Sequence, residues 1–233
     1  MAVHLVEDCQ RCNAKKITFD VFGAGPFKRD INPDLEPEGE IFCICRSCYQ
    51  ASIFEILPRN PSMSVSPAGV DWKNAQFNIT EFYYIVGVVT PADVFVPPPP
   101  QYLPENIRIA FNEGSKCLSI NCFNAAATMY RLCLDFATKS LLPEEGGPVA
   151  TVRRSLGLRL GWLFEAGKIP ESLRELAECV KDDGNDGAHE GILDKASALD
   201  LEDFTRELLI RLYTEPARLA EAKRRREARH QEK

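Results

Sequence analysis

Phe95-Val96-Pro97-Pro98-Pro99-Pro100-Gln101 divides the sequence into two halves of different character. Four consecutive prolines lack amide donors and hold φ near −65°, so neither a helix interior nor a central strand can pass through them. An extended polyproline spacer is the expected conformation; two uses fit it, a stiff linker or a docking motif for a proline-binding partner.

Upstream of the prolines the chain reads as β-rich. Ile17–Phe22, Glu40–Cys45, Ala51–Leu57 and Phe82–Val89 are short runs of Ile, Val, Phe and Tyr separated by Gly, Pro and Asn clusters. Gly23–Glu40 carries three prolines and several acids and is expected to be a long hairpin loop. Downstream, apolar residues recur at helical spacing: Ile107, Ala110, Phe111 and Leu118, then Cys122–Leu142, apolar on most faces, then Leu156, Leu160 and Leu163. Gly167 and Pro170 stop that helix; Leu173, Leu176, Ala177 and Val180 form another stripe. Asp200 is the expected cap of a last core helix bearing Leu201, Phe204, Leu208 and Leu212. The fold class is therefore α+β: a β-rich unit over 1–96, a proline linker over 97–103, an antiparallel bundle of four or five helices over 104–214, and a basic helical tail over 215–233. That tail has seven Lys/Arg, four acids and Leu219 as its only large apolar side chain. A solvated helix and an anionic-surface contact through Lys223–Arg226 both suit it.

Composition sets the class. The 233 residues are 45% hydrophobic and 27% charged, with a formal net charge of −6, an ordinary globular balance that excludes wholesale disorder and broad coating of nucleic acid. No stretch approaches the roughly 20 apolar residues of a membrane span, and MAVHLVEDCQRC lacks the pattern of a secretory leader. The expectation is a soluble cytoplasmic protein whose nine cysteines are metal ligands or buried thiols.

Cys9-x2-Cys12 and Cys45-x2-Cys48 are the strongest chemical signal. Two such knuckles supply four thiolates for tetrahedral Zn2+, and a closed four-sulfur site is structural. Thirty-two residues separate the pairs, longer than the usual template, and the Gly23–Glu40 loop absorbs the excess as an enlarged zinc-ribbon hairpin. Four thiolates and one zinc move the formal charge from −6 to −8, which Arg11, Arg46, Lys15 and Lys16 can offset. The same four cations, with Arg59, are candidate nucleic-acid contacts. Cys43 shares a strand face with Cys45 and is an alternative ligand; His4 is a further one. Cys117, Cys122, Cys133 and Cys179 lie in apolar helical segments and are expected to be buried thiols.

Lys181-Asp-Asp-Gly-Asn-Asp-Gly-Ala-His189 is the remaining motif. It fails as a calcium loop begun at Asp183, because Gly187 fills the fifth position and Asp194, not Glu, the twelfth. Taken in order, Ala125–Arg131 with Asp135, Gly167–Pro170, Gly184-Asn185-x3-His189 and Leu208–Tyr213 before Pro216 resemble the bacterial family named domain of unknown function 4145. The helical part of that family is similar to the HEPN superfamily of bundles, and the resemblance covers roughly residues 101–220. It implies a dimerising or binding module, with nucleic acid or a defence-system protein as partner, or a metal-independent endoribonuclease. In the nuclease members an arginine stabilises phosphate charge and a histidine moves a proton. Asn185 and His189 match the polar and histidine positions; Gly184 stands at the arginine position and Lys181 at the upstream one. Arg131 can replace the missing arginine, or can form an ordinary (i, i+4) ion pair with Asp135. His189 is correspondingly catalytic, or a structural histidine beside a capping Asn185.

Overall fold

The computed structural model describes residues 2–26, 28, 38–60, 71, 74–185 and 193–231, with the side chains of 92, 179, 181–185 and 231 outside that description. The fold is mixed α+β and divides into two compact units, Met1–Asp93 and Val94–Lys233.

The first unit is one antiparallel sheet in sequential order, β1 (His4–Glu7), β2 (Ile17–Ala24), β3 (Gly39–Cys45), β4 (Ala51–Pro58) and β5 (Tyr83–Val88). Period-two alternation puts Phe19, Val21, Ile41, Cys43, Cys45, Phe54 and Ile56 on one buried face, joined by Val3, Leu5, Ile79 and Tyr83. Phe19 meets Phe54 edge-on at 5.0 Å between centroids. The β2–β3 register places Phe19 opposite Cys45, so the turn entering β2 and the turn leaving β3 share one end of the sheet. The two CxxC turns occupy those positions.

The second unit is helical: α1 (Glu105–Ser119), α2 (Phe123–Ser140), α3 (Ala150–Arg154), α4 (Leu156–Glu165), α5 (Arg174–Asn185), α6 (Lys195–Leu209) and α7 (Glu215–Gln231). A π-helical turn, Ile210–Thr214, joins α6 to α7. The central helix α2 buries Ala126, Ala127, Tyr130, Cys133, Leu134, Ala137 and Thr138, a stripe at helical spacing. It packs with Phe111 of α1, Leu160 and Leu163 of α4, Ala177 and Val180 of α5, and Leu201, Phe204 and Leu208 of α6.

Two expectations need correction. The cap of α6 is Asp194, whose Oδ1 accepts from the Ser197 amide at 2.8 Å; Asp200 lies inside the helix, because the polar first turn precedes the apolar stripe. Cys133 is buried, but Cys117 is only half-buried and Cys122 exposed, since both sit at the turn between α1 and α2. The chain around the proline run is also bonded along α6 and α7: Pro98 and Gln101 carbonyls accept from Arg206 at 3.0 Å and Thr214 at 2.8 Å, and Arg218 donates to the Gln101 side chain at 3.1 Å. Among the described residues no helix is long and apolar enough to cross a membrane.

Candidate functional site

Both CxxC turns have the same backbone. The Asn13 amide donates to the Cys9 carbonyl at 2.8 Å and the Tyr49 amide to the Cys45 carbonyl at 2.9 Å. Asn13 and Tyr49 take left-handed conformations, φ 59° and 58°, which close each turn. The amides of Cys9 and Cys45 then bond the carbonyls of Ala14 and Gln50, at 2.9 and 3.1 Å. Further amides point at sulfur: Ser47 to Cys45 Sγ at 3.4 Å, Ala14 to Cys12 and Gln50 to Cys48. N–H groups aimed at sulfur favour thiolate over thiol.

The four sulfurs of Cys9, Cys12, Cys45 and Cys48 lie within 4.8 Å of one another, and could hold a metal ion. Cys9 Sγ and Cys48 Sγ are 3.9 Å apart. A tetrahedral ion with bonds of about 2.3 Å separates its sulfurs by about 3.8 Å, so the donor set fits zinc. The protonation of the cluster points the same way. The Ala14 amide, helped by the neighbouring thiols and opposed by burial, brings Cys12 down to about 7. At Cys48 the Gln50 amide acts downward, but burial and the thiols of Cys12, Cys45 and Cys9 push it up to about 11. Four sulfurs this close do not all ionise unless a cation offsets their repulsion.

Cys43 is not in this group. Its side chain points into the sheet core, where burial pushes its thiol up to about 12, and its sulfur faces the Ile41 carbonyl. His4 also lies outside it, with Nδ1 3.0 Å from the Ala2 carbonyl oxygen. The cations near the knuckles differ in availability. Arg46 forms a forked ion pair with Asp20, with Nε 3.0 and 3.1 Å from the two carboxylate oxygens, and Lys15 Nζ is 3.0 Å from Asp8. Arg59 lies over the Tyr84 ring at 4.2 Å and donates to the Thr80 carbonyl at 2.7 Å. Arg11 and Lys16 are exposed.

In the helical unit, His189 falls outside the described residues, as do the side chains of Lys181 and Asn185, whose backbones belong to α5. Arg131 does not pair with Asp135. Its Nη1 donates to the Val180 carbonyl at 3.2 Å, and it lines a cavity of about 690 Å³ with Ser155, Leu156, Trp162, Glu165 and Val180. Asp135 instead bonds Lys139, at 2.6 Å, and the fully buried Arg159. Arg159 was readable as unusual: it lies within the Leu156–Leu160–Leu163 stripe, where a cation must be buried with partners.

One comparison connects the chain to known proteins: a family model described as Domain of unknown function (DUF4145) matches residues 112–227. No curated protein and no solved structure matches.

Proposed function

Through residues 112–227 the chain belongs to the DUF4145 family, and from that premise we propose that it is a zinc-stabilised binding and assembly module. Cys9, Cys12, Cys45 and Cys48 would hold one Zn2+ in a closed four-thiolate site, leaving no position for substrate. Bound there, zinc would supply cross-linking and charge neutralisation. The protein's own residues present the thiolates on two amide-lined turns and bury Cys9 and Cys45 against the sheet core. The helical unit is read as an HEPN-like bundle that pairs with a second copy and engages nucleic acid or a defence-system protein in the cytoplasm.

The observation that carries the zinc assignment is the convergence of four sulfurs within 4.8 Å from turns thirty-two residues apart. Elemental analysis of purified protein should find one zinc per chain, and sedimentation should give a dimer. Cys45→Ser should release the metal and unfold the sheet while the helical circular dichroism persists. Folded protein with no metal would remove the assignment; a monomer would remove the pairing.

A second reading, endoribonuclease activity using His189, Asn185 and Arg131, is favoured by one contact. Arg131 reaches the Val180 carbonyl on α5, the helix that continues to Asn185, beside an open cavity. Arg131 would stabilise charge on the phosphate and His189 would carry the proton. Cleavage of RNA in the presence of a chelator, lost in Arg131→Ala and His189→Ala, is the expected result. A broad RNA panel left intact would eliminate this reading without touching the zinc assignment.

A further inference from the structure

The turn between α1 and α2 carries two thiols in a defined relation. Asn121 takes φ 62°, its amide donates to the Leu118 carbonyl at 3.0 Å, and the Cys122 amide donates to the Cys117 carbonyl at 2.8 Å. Those two bonds are the pair that defines the Schellman motif. The motif sets the side chain three positions before the cap residue against the one two positions beyond it, a contact usually made by apolar groups. With Ile120 as the cap residue, those positions are Cys117 and Cys122.

The Cα separation that a disulfide requires follows from the backbone hydrogen bond. Standard bond geometry on either side of the 2.8 Å hydrogen bond places the two Cα atoms at most about 6.7 Å apart, inside the limit of about 7 Å for bridging. Access is asymmetric in a useful way: Cys122 is exposed and Cys117 half-buried. Burial, then the neighbouring Cys122 sulfur and the Glu113 carboxylate, hold the Cys117 thiol above its ordinary range. The exposed sulfur is thus the first to react and the sheltered one the second. These thiols are not among the four converging sulfurs, which belong to the other unit.

We propose that Cys117 and Cys122 form a redox-active dithiol, a modification site that takes a low-molecular-weight disulfide of the glutathione class as oxidant. The Cys122 thiolate attacks one sulfur of glutathione disulfide, breaking its S–S bond. One glutathione leaves as thiolate and takes up the proton that Cys122 released. Cys117, giving up its proton, then attacks the Cys122 sulfur, and the second glutathione leaves as a thiol with that proton. The protein loses two electrons and two protons; the glutathione disulfide gains both.

The test uses the full chain as purified. It is exposed to glutathione disulfide, its free thiols are alkylated, and it is digested with trypsin. Cleavage after Lys116 and Arg131 yields one peptide, 117–131, that contains both thiols. The expected product is that peptide lighter by two hydrogens, unalkylated, and restored by dithiothreitol. Cys117→Ser should stop at a glutathione adduct on Cys122, and Cys122→Ser should leave Cys117 open to alkylation. Complete alkylation of both thiols in the exposed wild-type protein would overturn the proposal. So would a glutathione adduct on wild-type Cys122 that never closes.

Discussion

Arg159 has no exposed surface, and its guanidinium is shared among three acceptors: Thr138 Oγ1 at 2.9 Å, the Arg153 carbonyl at 2.5 Å and the Asp135 carboxylate. A buried cation deprived of its counter-charge costs more than the pair itself contributes. Asp135→Asn should therefore destabilise the helical unit by about 3 kcal/mol, measured by thermal or urea unfolding. The pH dependence follows from the carboxylate. Burial acts to raise the Asp135 pKa, but Lys139 and Arg159 prevail and hold it below its ordinary value. A folded-state pKa below the unfolded one gives stability that is present above the carboxylate range and lost as pH falls through it. The gap between wild type and Asp135→Asn should begin to narrow below about pH 4 and close only as pH falls through the depressed folded-state pKa, and a gap unchanged from neutral to acid pH would contradict the assignment. In the sequence, Arg131 stands four residues before Asp135 and can form an ordinary (i, i+4) pair with it. The fold gives it Lys139 on the same helix and Arg159 from another, because a fully buried guanidinium needs the charge more than a half-buried one does.

At the scale of elements, the α1–α2 hairpin depends on a residue without a side chain. A Cβ on Gly114 would stand 3.1 Å from Tyr130 Cε1 and 3.2 Å from Met129 Cβ. Tyr130 has little room to retreat: it is fully buried, its ring meets Phe111 edge-on at 5.4 Å, and its hydroxyl lies 3.2 Å from Ser115 Oγ. Gly114→Val should lower stability by about 1–3 kcal/mol, despite the better helix propensity of valine, and an unchanged or raised melting temperature would refute this packing account. Periodicity located most elements because burial on one face repeats at 2 or 3.6 residues. It missed β1, whose four residues are too few to display a period. It also misplaced the start of α6, since Asp194 and Asp200 are equally good caps until the first turn finds its hydrogen bonds.

For the molecule as a whole, the sequence by itself determined that the chain is α+β, that strands precede helices, and which four cysteines were candidates for one metal. Those properties rest on local rules: proline forbids regular structure, alternation declares a half-buried strand, and a two-residue spacer makes a knuckle. The tertiary structure alone decided which sulfurs converge. Cys43 and Cys45 point to the same side of β3, and only the end of the sheet, where β2 begins opposite Cys45, brings the Cys45 turn to the Cys9 turn. It likewise decided that Arg131 faces α5 and that Asp135 serves Arg159. Each of those outcomes depends on distances between residues that sequence spacing does not fix, since strand register and helix packing set them only once the cores have formed.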